Sequence, residues 1–405
     1  MPKLPHVPAD SLLREVIPAG SHHRELTELH VHLGGSVPIY RLWEMGMERG
    51  IRGVAGSYED FIQLLHRSTT NTGDLDRYLE IFDTVELIQA GPTAIAEAVR
   101  IAINGAYRTG GMRKLGPGGE GGDPDPIFAI TRLELRFNPM KRTGALFFKA
   151  GDRGLFDVDR IISAACESAH NSEIAYRGGI QVGLIICFGR DLARDVNDVL
   201  AEKVRTWSAV YDNIVGIDLA GPESACTLED DDDRRHMAEL FASAGSGIGK
   251  TVHVGETPHV SIDTFIKTIE SLNPDRVAHP VVAARALWND SDPRGLELLA
   301  ERDICCELCV HSNLLTGAIE TIEEYGAFLR TLDEYGIRYT FSTDSPALQL
   351  TTLAGELDML LAAEAASPAQ VSTALDNAEQ ATFLHGRRRA IEHLASSTRT
   401  DNANE

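Results

Sequence analysis

The stretch Glu28-Leu-His-Val-His-Leu-Gly-Gly-Ser36 decides how this chain is interpreted. His30 and His32 are separated by one residue, and side chains repeat every second residue along a β-strand, so both imidazoles leave the backbone on the same side. The apolar residues around them predict a short buried strand that the two glycines end. Two imidazoles fixed at a strand end form half of a metal site. Taken alone, His-x-His is more often a polar pair near a strand terminus, so the rest of the chain must decide.

Composition narrows the classes of partner. The chain has 405 residues, 43% hydrophobic and 24% charged, which is typical of a globular protein with a large core. Acidic residues outnumber basic ones by 60 to 38, for a formal net charge of −22. Nucleic acids and anionic membranes bind basic surfaces, so we expect neither as a partner. The charge says little about a small substrate, because a bound metal reverses the local field.

The cysteines and the apolar runs indicate where the protein works. Six cysteines in so long a chain, several of them in apolar segments, predict buried free thiols rather than a disulfide framework. No apolar run approaches the ~18 residues of a membrane span, and the first residues do not resemble a signal peptide. The sequence therefore predicts a cytoplasmic enzyme and leaves open whether it forms a homo-oligomer.

Short apolar runs alternate with longer helical patterns along most of the chain. Runs such as Val215-Gly-Ile-Asp-Leu219 are typical of strands buried on both faces, as in parallel sheets. Segments such as 192–211 and 262–273 show the apolar spacing of helices. Eight strand–helix units predict an α/β fold, a closed (β/α)₈ TIM barrel. The predicted strands are 28–33, 132–137, 180–187, 214–219, 250–254, 275–279, 304–308 and 338–343.

One connection is far longer than the others. About a hundred residues separate the first two predicted strands, and two segments within them, 58–65 and 75–88, have helical spacing, so we predict a helical insertion after the first strand. The Gly/Pro-rich segment 116–126 indicates a turn or a flap. The acidic run 229–233 is interpreted as a helix start rather than a cation site. The predicted organisation is an N-terminal tail (1–25), one barrel domain (26–395) with the insertion at about 40–127, and a disordered C-terminal tail (396–405).

Further polar residues follow other predicted strands. The fifth strand ends in Thr251-Val-His-Val-Gly-Glu256, the sixth in Arg276-Val-Ala-His279 and the eighth in Ser342-Thr-Asp-Ser-Pro346. A lone histidine at a strand end is more often a hydrogen-bonded structural residue. Barrel enzymes, however, place their sites at the carboxyl ends of the strands. Four such strand ends in one barrel therefore favour a single shared site.

The order of these motifs resembles the adenosine deaminase family of the amidohydrolase superfamily, from about residue 26 to about residue 385. The resemblance is carried by Glu28–Leu33, Glu134-Leu-Arg-Phe-Asn-Pro139, Ile217-Asp-Leu-Ala-Gly221, His253-Val-Gly-Glu256, Arg276-Val-Ala-His279, Cys306–Gly317 and Ser342-Thr-Asp-Ser-Pro346, which occur in the family's order.

The resemblance implies one catalytic zinc ion per chain, held by His30, His32, His253 and Asp344. Three imidazoles and one carboxylate also suit zinc better than magnesium or calcium, which prefer oxygen ligands. Ligand type alone leaves iron, cobalt and manganese open.

The implied reaction is hydrolytic deamination by zinc-bound hydroxide, since zinc lowers the pKa of its bound water towards ~7. His279 and Asp344 would orient this hydroxide and take up its proton. Glu256 would protonate the ring nitrogen, which requires a neutral carboxyl whose pKa is raised by a dry pocket. The alternative for Glu256 is a carboxylate on a surface loop. The backbone amide of Gly221 would bind a second ring nitrogen.

Two positions depart from the family pattern, and both concern the substrate. Gly34 stands where the family commonly has an aspartate that binds the ribose 5′-hydroxyl. Ser345 replaces a second aspartate that contacts the imidazole-ring nitrogen of the purine, and a hydroxyl lacks the charge of a carboxylate. Losing a polar partner changes discrimination, often by orders of magnitude. We expect Gly34, Gly221 and Ser345 to contact the substrate.

The predicted substrate is a 6-aminopurine nucleoside or a close analogue. Candidates are adenosine, a 5′-substituted adenosine such as aminodeoxyfutalosine, a nucleoside-like secondary metabolite, or adenine and other aminoheterocycles. AMP is less favoured because no basic cluster is obvious near Gly34; the nearest candidates are Arg41, Lys141 and Arg142.

Two other functions are weighed against deamination. A metal-dependent hydrolase of another bond, such as a phosphoesterase or an amidase, also uses His-x-His, but it usually needs a bridging carboxylate or lysine for a second metal, and the sequence offers none. A ligand-binding protein that kept the barrel predicts that a metal ligand or the acid is missing. All six positions are filled here: His30, His32, His253, Glu256, His279 and Asp344.

Overall fold

The architecture is an eight-stranded parallel sheet rolled into a barrel, seen in a computed structural model that describes residues 12–17, 23–51, 54–69, 73–111, 127–144 and 156–385. Each strand pairs with the next along the chain, in the order β1 to β8. The predicted (β/α)₈ barrel is confirmed. The strands are β1 (His23–His32), β2 (Ile127–Phe137), β3 (Gln181–Gly189), β4 (Ile214–Ala220), β5 (Gly249–His253), β6 (Arg276–Ala278), β7 (Cys305–Leu308) and β8 (Tyr339–Phe341).

The barrel closes between β8 and β1 through a single parallel bridge, Val31 to Asp344. The amide of Asp344 donates to the carbonyl of His30 at 2.9 Å, and the amide of His32 donates to the carbonyl of Asp344 at 2.7 Å. The residues predicted as metal ligands on the first and eighth strands therefore supply the backbone hydrogen bonds of the closure.

Helices surround the barrel, and within the described ranges four of them lie between β1 and β2, where the insertion is predicted. These are α1 (Ile39–Glu48), α2 (Tyr58–Thr69), α3 (Leu75–Ile88) and α4 (Pro92–Gly111). The later helices are α5 (Val158–His170), α6 (Glu173–Gly178), α7 (Arg194–Ser208), α8 (Asp231–Ser243), α9 (Ile262–Leu272), α10 (Val281–Asp290), α11 (Arg294–Glu301), α12 (Val310–Thr316), α13 (Ile322–Glu334), α14 (Pro346–Gln349), α15 (Leu353–Ala362) and α16 (Pro368–Ala381).

The acidic run at 229–233 begins a helix, as predicted. Asp230 is the N-cap of α8, and its carboxylate accepts hydrogen bonds from the amides of Asp232 and Asp233 at 2.9 and 3.0 Å. These bonds satisfy two amides that have no partner within the helix. None of the helices in the described ranges combines the length and the hydrophobicity that a bilayer crossing requires.

The structure differs from the sequence-based boundaries at the amino end. β1 and β2 each begin five residues before the predicted runs, because their first residues pair with one another in the ladder; those of β1 are mostly polar and those of β2 mostly apolar. Arg24, for example, reaches α16 and donates to the carboxylate of Asp376 at 2.6 Å. Within the predicted N-terminal tail, Leu12–Val16 form a 3₁₀ turn in which Leu13 and Val16 are buried. The segment 116–126 and the predicted tail 396–405 lie outside the described residues.

The aromatic ring of Phe383 packs against residues at the amino-terminal end of the barrel. The Arg276 guanidinium lies 3.6 Å from the centre of the Phe383 ring. A Cβ atom added at Gly249 would lie 2.2 Å from this ring, closer than real Cβ contacts allow. Gly249 is therefore needed because Phe383 occupies the space of a side chain.

We predict that Gly249→Ala lowers stability by about 1–3 kcal/mol, since the ring must move to admit the methyl group. The matched control is Gly105→Ala in α4, where an added Cβ meets nothing within 4 Å. There the removal of a helical glycine is expected to stabilise by about 0.5–1 kcal/mol. Thermal unfolding midpoints measure both, and equal midpoints for the two variants would contradict the account of this end of the barrel.

Candidate active site

Three imidazoles converge at the carboxyl end of the barrel. The Nε2 atoms of His30 and His32 are 3.3 Å apart, and each lies 3.2 Å from Nε2 of His253 at the end of β5. A tetrahedral ion with bonds of about 2.0–2.1 Å separates its ligand nitrogens by roughly 3.3–3.4 Å. The spacing of the three nitrogens therefore fits one small ion.

Carboxylates behind two of the imidazoles fix the positions of their protons. His30 Nδ1 lies 2.7 Å from Oε2 of Glu307, and His253 Nδ1 lies 3.1 Å from Oδ1 of Asp218. An ionised carboxylate only accepts hydrogen bonds, so each Nδ1 carries the proton and each Nε2 has an unshared electron pair. Electron pairs that face one another at 3.2 Å repel unless a cation lies between them. The donor set thus fits a metal.

Burial keeps most of these imidazoles in the form that binds metal. Desolvation brings the pKa of His30 well below its ordinary value and lowers that of His32 to about 3. At His253 burial also acts to lower the pKa, but Asp218 outweighs it and the net shift is upward. Neutral imidazole is the ligand form, and Asp218 is the group that positions His253.

Asp344 follows β8 and completes this group. Its Oδ1 atom lies 3.7 Å from His32 Nε2, and its Oδ2 atom lies 3.9 Å from His279 Nε2. Hydroxyl groups of Ser312 and Ser345 donate to its two oxygens at 2.7 and 2.9 Å. Burial opposes ionisation, yet the neighbouring imidazoles and the Ser312 hydroxyl keep the pKa of Asp344 below its ordinary value.

Two of the site residues have strained backbones. Asp344 has φ of 60° and His279 has φ of 53°, in the left-handed region that side chains other than glycine rarely adopt. Such strain costs of order 1–3 kcal/mol and is concentrated at functional sites. His279 is further held by Asn313, whose Nδ2 lies 3.0 Å from its Nδ1. The fold thus maintains a strained backbone at both residues, and this conformation brings their side chains to the site.

Glu256 lies in a buried loop after β5 and is 6% exposed. Glu223 holds this loop, since its carboxylate accepts from the amides of Gly255 at 2.6 Å and Thr257 at 2.8 Å. Desolvation is the main cause that raises the pKa of Glu256, and the charges of Asp344 and Glu223 add to the shift, while His279 opposes it. A raised pKa is what a general acid needs, and the surface-loop alternative is wrong for this residue.

The site opens into a cavity whose empty space, together with its open mouth, is about 890 Å³. One wall is a face of α3, a helix of the insertion, which contributes Leu75, Tyr78, Leu79, Phe82 and Glu86. The site residues on the wall are His32, His253, Glu256, His279 and Asp344, together with Gly34 and Gly221.

Ser345 is not on the wall of the cavity. It is fully buried, and its hydroxyl donates to Asp344. Its side chain is also close to Gly35, where an added Cβ would lie 2.3 Å from that of Ser345. The position does not support the predicted substrate contact; it indicates that Ser345 orients the Asp344 carboxylate.

Sequence reasoning missed the buried charges below the imidazoles. The Arg136 guanidinium donates to Asp218 at 3.1 Å and to Glu307 at 2.7 Å, and all three side chains are fully buried. A signal was present, because Asp218 and Glu307 stand within apolar strand segments, where an unpaired charge is costly. The signal identifies a buried ionic contact but not which histidine each carboxylate holds.

Comparisons with known proteins place this geometry in a family. The family model described as "Adenosine deaminase" matches residues 129–396, well over half of the chain. The chain belongs to the adenosine deaminase family. It is therefore a hydrolytic deaminase that acts on carbon–nitrogen bonds, as the motifs predict.

Curated relatives of this family cover most of the chain. The adenosine deaminase of Erwinia tasmaniensis is 25% identical over 365 residues, 89% of this chain and 94% of the relative. The aminodeoxyfutalosine deaminase of Acidothermus cellulolyticus is 28% identical over 337 residues, 81% of this chain and 80% of the relative.

Solved structures share the fold. An adenine deaminase from Arthrobacter aurescens has a TM-score of 0.69 at 16% identity and covers 91% of this chain and 99% of its own. An amidohydrolase from Burkholderia ambifaria, solved with bound Zn, has a TM-score of 0.69 at 14% identity and covers 96% of this chain and 92% of its own. At these identities the likeness concerns the fold.

We predict that Asp218→Asn weakens metal binding by about 10–100-fold, because an amide does not hold the His253 proton as a carboxylate does. The matched control is Asp198→Asn, which changes an exposed carboxylate that lies 2.7 Å from His236 on the surface. Competition against a chelator measures the affinity of each variant. Parental affinity in Asp218→Asn would show that this carboxylate does not position a ligand.

Proposed function

We propose that this protein is a zinc-dependent hydrolytic deaminase of a 6-aminopurine nucleoside or a close analogue. The observation that carries the proposal is the convergence of three Nε2 atoms beside a buried carboxyl group, Glu256, on the wall of one cavity. The names of the curated relatives, an adenosine deaminase and an aminodeoxyfutalosine deaminase, support a purine-type substrate. The zinc in the amidohydrolase structure supports the metal.

His30, His32, His253 and Asp344 would hold the ion. Zinc at such a site makes its water acidic near neutral pH and so provides the nucleophile. A single carboxylate and three imidazoles suit this metal by ligand type. We propose one ion per chain, because we assign no bridging carboxylate or lysine that could hold a second ion.

We assign the proton transfers of the reaction to side chains of this chain. Glu256, whose pKa is raised by burial, would donate a proton to a ring nitrogen as the attacked carbon becomes tetrahedral. His279 and Asp344, whose side chains are 3.9 Å apart at their nearest nitrogen and oxygen, orient the nucleophile and take up its proton. The amide of Gly221 on the cavity wall donates to a second ring nitrogen. The proton taken up by His279 and Asp344 would pass to the amino nitrogen, and the second proton of the nucleophile would return to Glu256 as the C–N bond breaks and ammonia leaves.

Removal of the metal tests the class of reaction. We expect chelation to abolish ammonia release from aminopurine nucleosides and added zinc to restore it, with iron, cobalt and manganese tested in parallel. The substrate panel includes adenosine, 5′-substituted adenosines, adenine and generic phosphoesters. Phosphate release from the phosphoesters would instead favour a hydrolase of another bond, and a protein that stays inert after zinc addition would favour a binding function.

Substitution of the acid tests the mechanism. Glu256→Gln is expected to lower kcat by about 10²–10⁴-fold while the protein retains its metal, because the amide cannot supply the proton. Glu239→Gln, at an exposed position in α8, is the matched control and keeps parental turnover. Ammonia release and metal analysis are measured on the same samples. Near-parental turnover in Glu256→Gln would remove this residue from the mechanism.

A further inference from the structure

The wall of the cavity beside Gly34 carries the cations Arg142 and Lys141 and the side-chain amide of Asn138, together with the Glu86 carboxylate. We propose that this end of the cavity binds an anionic group on the substrate, a phosphate or a carboxylate attached at the 5′ end of the nucleoside, through Arg142, Lys141 and Asn138. The inference deepens the proposed function, on which it rests, by naming the class of substrate.

Arg142 lies beside Gly34 although 108 positions separate them in the sequence. A Cβ atom added at Gly34 would lie 3.2 Å from Nη2 of Arg142 and 3.3 Å from the Phe82 ring. The guanidinium and the ring therefore border the space that any side chain at position 34 would enter. The wall next to the first metal-binding motif carries a cation here, and glycine supplies no carboxylate to neutralise it.

Two buried side chains at this end keep donors without an acceptor. Arg142 is 1% exposed, and its Nε and Nη1 atoms have no hydrogen-bond partner among the described residues. Asn138 is 7% exposed, and its Oδ1 atom accepts from the amides of Met140 and Lys141 at 2.9 and 3.1 Å. These bonds fix the orientation of the Asn138 amide, so the atom left without a partner in the described parts of the chain is the donor Nδ2. Buried donors without acceptors are costly and indicate a missing partner.

The nearby carboxylates satisfy these cations only in part. Glu86 lies 3.2 Å from Nη1 of Arg142, in an ion pair whose geometry is not that of a hydrogen bond. Asp191 lies 2.6 Å from Nζ of Lys141 at a more exposed position. Burial raises the pKa of Glu86, and the charges of Arg142 and Lys141 oppose this shift. A guanidinium has five N–H donors and an ammonium has three, so both cations retain donors for a ligand.

The chemistry of the ligand follows from these donors. Phosphate and carboxylate oxygens accept several hydrogen bonds at once, and guanidinium binds both groups in a bidentate manner. A 5′-hydroxyl offers a single oxygen and no charge, so it would leave most of these donors without a partner. The cavity wall therefore favours a substrate with an anion at this position over an unmodified nucleoside.

The first experiment compares three substrates of the zinc-loaded protein: adenosine, adenosine 5′-monophosphate and the 5′-carboxylate of adenosine. We expect kcat/KM for at least one anionic substrate to exceed that for adenosine by about tenfold or more. The better of the two anions identifies the source of the negative charge. Equal or higher kcat/KM for adenosine overturns the inference.

A binding measurement separates this inference from the proposed function. Calorimetry with the same three ligands and the Glu256→Gln protein reports affinity without turnover. Tighter binding of an anionic ligand with no deamination of any substrate would support the anion site and overturn the proposed reaction. Deamination without a preference for anions in either assay would support the proposed reaction and overturn the anion site.

Two variants at position 34 separate the effect of a negative charge there from the effect of side-chain shape. Gly34→Asp places a carboxylate beside Arg142, and Gly34→Asn introduces nearly the same shape without a charge. We expect the anion-to-hydroxyl ratio of kcat/KM to fall about tenfold further in Gly34→Asp than in Gly34→Asn. Equal ratios in the two variants contradict a cationic site. Arg142→Gln is expected to lower the same ratio. If Arg142→Gln fails to fold, Gly34→Asp and Gly34→Asn still test the inference.

Arg41→Gln is the matched control for the loss of a basic residue. Arg41 pairs with Glu44 and Glu97 and is not among the residues that line the cavity. Its substitution is expected to leave the ratio unchanged. A fall as large as that in Arg142→Gln would attribute the preference to overall charge rather than to this wall of the cavity.

Discussion

The site depends on the ion pairs that Arg136 makes inside the barrel. Its guanidinium lies between Asp218 and Glu307, and these carboxylates in turn hold Nδ1 of His253 and His30. None of the three charged side chains is exposed, and a buried charge that loses its partner is strongly destabilising. Glu307 also pairs with Nε of Arg276 at 2.6 Å, so a second buried cation belongs to the group. Once it forms, the two imidazoles have one available tautomer and one orientation.

Closure of the barrel also fixes the positions of site residues, at the contact between β8 and β1. β8 meets β1 through Asp344, which exchanges backbone hydrogen bonds with His30 and His32. A shift in register between these strands would break the closure and separate the carboxylate from the imidazoles together. The strained φ angle of Asp344 is tolerated because these hydrogen bonds and the two serine hydroxyls determine its position. Fold and site thus share the same few contacts.

The sequence predicts the parts of this arrangement that obey a short-range rule. Alternation along a strand places His30 and His32 on one side, and the rule that barrel sites lie at the carboxyl ends of strands gathers His253, His279 and Asp344. The predicted first strand omits the first five residues of β1, because polar residues pair in a ladder as well as apolar ones do.

What the sequence does not predict is set by contacts between distant residues. A family position indicates a substrate contact for Ser345, but a hydroxyl bonds to whichever acceptor is nearest, and here that is Asp344. The approach of Arg142 to Gly34 depends on how the turn after β2 packs against α3, which no local pattern encodes. The sequence offers Lys141 and Arg142 only as the nearest basic candidates for a phosphate contact; the fold makes them part of the cavity wall.

This division explains how one barrel can keep its chemistry while its substrate changes. The side chains proposed to bind the metal and the proposed acid stand on or just after strands, and the buried ion pairs and the closure hold His30, His253 and Asp344. The wall that would face the rest of the proposed substrate comes from α3 and from the turn that follows β2, which lie outside those contacts. Loops and insertions on a rigid scaffold tolerate substitution more readily than the scaffold does. A change such as glycine for aspartate at position 34 therefore alters which substrate fits without disturbing the Arg136 ion pairs on which the imidazoles depend.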